Sequence, residues 1–206
     1  MAVNSIEKAG IIGFGFAGEL HAQVLRESIS PENIHIYDLS SAKLEEAKKI
    51  GHTTYYDLEQ FLSTKPDIII TAVPPSENPN LIDAIANANS TKAILIEKPI
   101  ALDADSAWQI EETLSRAGIF SMAGLTGHYH PEFKAARQLI GEGVLGSVRS
   151  VIEQIHQGGP DFPPHYVSFE YGGAIKELGI HTIDHLHFLL DRNDWEVSIV
   201  RGARSF

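Results

Sequence analysis

The chain has 206 residues, of which 43% are hydrophobic, and carries a formal charge of −11. That length and composition fit one large or two small globular domains. The acidic balance argues against nucleic acid or anionic lipid as partners, and the complete lack of cysteine excludes disulfides, thiolate catalysis and cysteine-bound metals.

No apolar run is long enough to span a membrane, and residues 1–5 do not read as a secretion signal, so a cytoplasmic setting is expected. Residues 8–13 form a short apolar strand that enters Gly13-Phe14-Gly15-Phe16-Ala17-Gly18, a G-x-G-x-x-G turn followed by a predicted helix over 17–27. In such a turn the first glycine allows the bend. The second lets the backbone approach a pyrophosphate, and the third brings the helix close to the strand. The helix N-terminus adds unpaired N–H groups and a positive dipole end. A second strand is predicted over 33–37, and Asp38 follows it, 20 residues after Gly18. A carboxylate there accepts hydrogen bonds from the adenosine ribose, or it caps the next predicted helix, 42–49. No arginine stands beside Asp38 to bind a 2′-phosphate, which favours NAD over NADP.

Residues 52–55 read as an edge strand and 58–62 as a short helix. The β-branched run 67–71 reads as a buried parallel strand. It ends at Thr71, and Val73, Pro74 and Pro75 then form a rigid loop at the edge where open α/β sheets bind ligands. A helix over 80–88, a strand over 93–96, a helix over 103–117 and a strand over 121–125 complete the alternation. Glu97-Lys98-Pro99 directly follows the fifth strand. The expected architecture is α/β: the alternation implies a doubly wound parallel Rossmann sheet over residues 1–125, followed by a second domain over 126–206.

In the second half, an amphipathic helix is predicted over 131–142, a strand over 147–156, a turn-rich loop over 158–166, a helix over 172–190 and a last strand over 195–204. The long loop makes Asp161, His165 and Tyr166 substrate-contact candidates. On the helix, Glu177, His181, Asp184, His185 and Phe188 recur at three- and four-residue spacing and so share a face. His181 and His185 have chelating spacing, but no second ligand cluster accompanies them in the sequence, and no metal is expected.

Gly13 to Gly18, then Glu97-Lys98-Pro99, then Gly172-Gly173-Ala174 leading to Gly179-Ile180-His181-Thr182-Ile183-Asp184, together resemble the Gfo/Idh/MocA family of oxidoreductases. The resemblance implies that residues 1–125 bind NAD(P) and that 126–206 form a partial α+β domain whose open mixed sheet covers the nicotinamide. It implies that Lys98 reaches both cofactor and substrate and stabilises the reacting oxygen, with Glu97 orienting the loop. A cis Lys98–Pro99 bond is compatible with it. His181 matches the family's acid/base histidine. Glu177 stands where many relatives carry aspartate, and Asp184 is placed to orient the imidazole. His128 and Tyr129 stand where many members resemble R-F-x-P, which makes them substrate-contact candidates in an unusual pocket. The implied function is NAD-dependent hydride transfer on a hydroxyl-bearing carbon of a small polyhydroxy substrate: a sugar, a sugar derivative or a cyclitol. Two alternatives stay open. NAD serves as a non-consumed cofactor for epimerisation, elimination or glycoside cleavage, or the chain is a non-catalytic dinucleotide-binding regulator. Relatives continue well past residue 206, so the second domain is expected to be incomplete, and a homo-oligomer formed through its sheet is expected to cover the exposed face.

Overall fold

The computed structural model describes residues 6–155 and 173–191. Asp161, His165, Tyr166, Gly172 and the expected strand over 195–204 lie outside the described residues. The chain divides into two compact units, Met1–Gly124 and Leu125–Phe206.

The first unit alternates β1 (Ala9–Ile12), α1 (Phe16–Leu25), β2 (Ile34–Tyr37), α2 (Ser41–Ile50), β3 (Thr53–Tyr55), α3 (Leu58–Ser63), β4 (Ile68–Thr71), α4 (Asn78–Ala88), β5 (Ala93–Ile96), α5 (Ala104–Ala117) and β6 (Phe120–Ala123). Short polar side chains start several helices. Asp57 accepts the Gln60 N–H at 2.8 Å and Asp103 the Ser106 N–H at 2.8 Å. Gly51 and Gly118, with φ of 101° and 66°, end α2 and α5 in the left-handed conformation. The helix expected over 80–88 begins two residues earlier, at Asn78, because Pro79 fits a first helical turn.

The six strands form one parallel sheet in the order β3-β2-β1-β4-β5-β6. The chain therefore reverses direction across the sheet between β1 and β4. Alternate strand residues feed two cores, as a period of two requires. Ile11, Ile36 and Ile70 pack with Ala22 of α1 and Leu44 of α2 on one face. Ile12, Ile69, Ile94 and Ile96 pack with Phe61, Ile82, Ile85, Ile110 and Leu114 on the other.

The second unit contains a 3-10 turn (Gly127–Tyr129), α6 (Pro131–Gly141) and α7 (Gly173–Leu190). Gly143 and Gly146, with φ of 72° and 65°, lead the chain out of α6. The strand expected over 147–156 is not formed in its described part, residues 147–155. A strand exists only through a ladder with a neighbour, and no described segment of this unit supplies one. Ile152 is 86% exposed there. The segment is tied instead by Glu153, whose Oε1 lies 2.6 Å from Nδ1 of His185 on α7.

Candidate functional site

The parallel register aligns the strand ends. Ile12 pairs with both Tyr37 and Thr71, Thr71 with Ile96, and Ile96 with Ala123. The ladder continues one residue further: Gly13 N–H donates to Tyr37 O at 2.9 Å, Ala72 N–H to Ile12 O at 2.8 Å, Glu97 N–H to Thr71 O at 2.9 Å, and Gly124 N–H to Ile96 O at 2.8 Å. Gly13, Asp38, Ala72, Glu97 and Gly124 thus stand in a row along the carboxyl edge, where each chain leaves the sheet. The motifs at 13–18, 38, 71–75 and 97–99 meet there because each directly follows a strand.

The three glycines of the turn answer to different neighbours. Gly13 has φ +90°, and a Cβ there would strike the carbonyl of Ala72. A Cβ on Gly18 would land on the carbonyl oxygen of Gly13, so its absence lets α1 seat against the turn. Gly15 faces open space, with nothing among the described residues within 4 Å of a built Cβ, and as N-cap of α1 it offers no side-chain cap. The open, uncapped helix end fits a phosphate group, which binds backbone N–H groups at such an end.

Asp38 clasps this turn. Its Oδ2 accepts the Phe14 N–H at 2.7 Å and its Oδ1 the Ser40 N–H at 2.7 Å. The cap of α2 is Ser40, whose hydroxyl accepts from the Lys43 N–H, so Asp38 does not cap that helix. A carboxylate oxygen can accept more than one hydrogen bond, which leaves Asp38 able to take ribose hydroxyls. The side chain of Phe14 is fully buried and meets the His52 ring edge-on at 6.0 Å. Only its backbone belongs to the turn. Phe16 is exposed, whereas Thr71 and Pro75 are buried, Val73 is half-buried and Pro74 is exposed.

Lys98 is half-buried and its bond to Pro99 is cis. Glu97 accepts the Lys98 N–H on Oε2 at 3.2 Å, and its Oε1 lies 2.7 Å from Nε2 of His21 on α1. Asn78 donates from Nδ2 to the Ile100 carbonyl at 2.9 Å. Sequence reasoning missed both His21 and Asn78. The available signal for His21 was its place in the stripe Gly18, His21, Ala22, Leu25, the face of α1 turned to the sheet, where a polar residue is the exception.

In the second unit, His128 and Asp184, both substrate-contact candidates, are brought together. Nε2 of His128 lies 2.8 Å from Asp184 Oδ1, and its ring stacks on Phe188 at 4.5 Å. Arg137 lies over the other residue of this stack, 4.7 Å from the Phe188 centroid. His185 packs against Phe133 at 4.1 Å, and Gly127 is the glycine that admits its ring. Asp184 therefore holds the 3-10 turn rather than His181 with this oxygen, while its Oδ2 is buried without a hydrogen-bond partner among the described residues. The His181 ring lies 6.2 Å from that of His185, and Glu177 stands one turn before it, half-buried. Tyr129 is exposed, with Nζ of Lys134 5.8 Å above its ring.

A six-stranded parallel sheet in this order, with a glycine turn opening α1 and a carboxylate after β2, defines a doubly wound nucleotide-binding fold. The sequence profile of the Gfo/Idh/MocA oxidoreductase family, described as an NAD-binding Rossmann fold, matches residues 8–125, and the profile of the family's C-terminal domain matches 133–203. The chain belongs to the Gfo/Idh/MocA family. An inositol 2-dehydrogenase of Rhizobium meliloti is 27% identical over 182 residues, which cover 88% of this chain and 54% of that one. An inositol 2-dehydrogenase/D-chiro-inositol 3-dehydrogenase of Lactiplantibacillus plantarum is 26% identical, covering 93% and 54%. Among solved structures, an NAD-binding protein from Listeria innocua superposes with a TM-score of 0.78 at 20% identity, covering 91% of this chain and 56% of that one. The chain spans about half the length of the curated relatives it matches.

Proposed function

We propose that the chain binds NAD along the carboxyl edge between β1 and β4 and serves NAD-dependent hydride transfer at a hydroxyl-bearing carbon of a sugar, sugar derivative or cyclitol. The observation that carries this reading is the clasp of the glycine turn by Asp38, through the Phe14 and Ser40 amides, beside an open Gly15. The turn and the first amides of α1 would hold the pyrophosphate, and Asp38 the adenosine ribose. Family membership and the inositol dehydrogenases among the relatives support the substrate class.

NAD, when bound, supplies the acceptor for the substrate hydride. The chain's own residues manage the oxygen and its proton. The Lys98 ammonium donates a hydrogen bond to the substrate oxygen and stabilises the negative charge that grows on it. His181 accepts the hydroxyl proton during oxidation and returns it during reduction.

The test is NADH formation followed at 340 nm with myo-inositol and a panel of sugars, alongside NADH binding by fluorescence. Lys98→Met and His181→Ala are each expected to lower turnover about 10²- to 10⁴-fold while NADH binding persists. Retention of turnover by either variant counts against its role. Substrate conversion without net NADH would replace simple dehydrogenation with a non-consumed cofactor.

A further inference from the structure

We propose that His21 and Asn78 are positioning residues that hold the lysine loop, residues 97–100, from the two faces of the sheet; this rests on the reading that Lys98 acts at the reacting oxygen. The loop begins where the Glu97 amide makes the last sheet hydrogen bond, to Thr71 O at 2.9 Å. Beyond that point the ladder gives it no support, yet an ammonium that stabilises a growing charge must be held in place to be effective.

The first hold comes from α1. Glu97 is acceptor-only when ionised, so the facing Nε2 of His21 carries the proton and donates to Oε1 at 2.7 Å. The other oxygen, Oε2, accepts the Lys98 amide at 3.2 Å. The Glu97 carboxyl group therefore links α1 directly to the backbone of Lys98. The Gly124 backbone closes a third side, since a Cβ there would lie 3.0 Å from Oε1. The second hold comes from α4, across the sheet. Asn78 is 1% exposed and donates to the Ile100 carbonyl at 2.9 Å. Helix α1 contributes Ala22 to one core, and α4 contributes Leu81, Ile82 and Ile85 to the other. The loop is thus gripped from opposite faces, two residues to either side of the Lys98–Pro99 bond at most.

Neither residue is a good choice for packing alone. His21 occupies a stripe that otherwise seats Gly18 and Ala22 against the sheet. Asn78 keeps its Oδ1 buried without a partner among the described residues, a cost that an apolar side chain of similar volume would not carry. Their common feature is the loop they hold.

The test compares the whole chain with His21→Ala, His21→Gln, His21→Asn and Asn78→Ala. Gln places an N–H near the position of Nε2, and Asn falls short of it. Amide hydrogen exchange is read across residues 97–103, with NADH binding and turnover in parallel. We expect faster exchange at Lys98 in His21→Ala and His21→Asn, protection restored in His21→Gln, and faster exchange at 100–103 in Asn78→Ala. Turnover should fall about ten- to a hundredfold in the Ala and Asn variants, with KM for NAD changed less than about twofold, and recover in Gln. Unchanged exchange in His21→Asn and Asn78→Ala, or a Gln variant no better than Asn, overturns the proposal. If the unmodified chain turns over no substrate, the reading of Lys98 fails by itself, and exchange in the Gln and Asn variants still decides whether the loop is held. Should the Ala variants fail to fold, the Gln and Asn pair carries the same comparison.

Discussion

Gly15 and Gly18 stand three residues apart in one turn and answer to different constraints. Gly15 has φ −77° and open space where a Cβ would go, so alanine fits the folded chain. Gly15→Ala is expected to leave the urea midpoint unchanged and to weaken NADH binding about tenfold or more, because the methyl group occupies the approach to the phosphates. Gly18→Ala places its Cβ on the Gly13 carbonyl and should destabilise the fold by about 1–3 kcal/mol. Equal loss of stability in both variants would refute the division between ligand approach and helix packing. Asp38→Ala removes the acceptor for the Phe14 and Ser40 amides. It should cost about 1–3 kcal/mol in a urea titration and also lower NADH affinity. The sequence showed Asp38 at ribose spacing, but not its grip on Phe14, because a bond across 24 residues leaves no local pattern.

The pairing of α6 with α7 turns on a small residue. The His185 ring occupies the space a Cβ on Gly127 would take, and the same ring packs on Phe133 and meets Glu153. Gly127→Ala should loosen this unit by about 1–3 kcal/mol. Amide exchange should rise within 131–141 and 176–190 and stay unchanged in the sheet of the first unit. Uniform protection in those helices would show that the turn adapts without cost. The shared helical face of Glu177, His181, Asp184, His185 and Phe188 was legible from spacing, yet spacing does not say what each side chain meets. Asp184 and Phe188 take His128, and His185 takes Glu153 and Phe133, whereas the sequence offered Asp184 as a support for His181. The strand expected over 147–156 does not form within its described part, 147–155, for a related reason. Alternating apolar residues suit a strand, but a strand needs a neighbour to bond, and the described residues of that unit provide none.

Across the first unit, stability depends on two buried histidines. Burial holds the His35 ring below the usual histidine range, aided by the Lys8 charge. Burial lowers His52 as well; its bond to the Pro31 carbonyl opposes this, and the Arg26 charge adds to it. Both rings are therefore neutral in the fold at a pH where the unfolded chain binds protons. Their contribution to stability is complete above the unfolded value of about 6.5. It is lost as pH falls through that value towards the depressed folded ones. Urea midpoints measured from pH 8 to pH 5 should fall in that window, before carboxylate titration sets in, and the two rings should titrate by NMR below free histidine. A midpoint flat between pH 7 and 5 would contradict the effect of burial.

Local chemistry determined the elements of this protein. The β-branched run before Thr71, the short polar residues at Asp57 and Asp103, and Gly51 and Gly118 at helix ends act within a few residues, so strands and helices were legible in order. The motifs after β1, β2, β4 and β5 were legible for the same reason, and parallel register places everything that follows a strand on one edge. Only the tertiary structure decided which groups meet within each unit. His21 reaches Glu97 over 76 residues, Asn78 reaches Ile100 over 22, and His128 reaches Asp184 over 56. Such contacts are set by how helices seat on the two faces of the sheet and on each other, and no periodicity in the sequence encodes that seating.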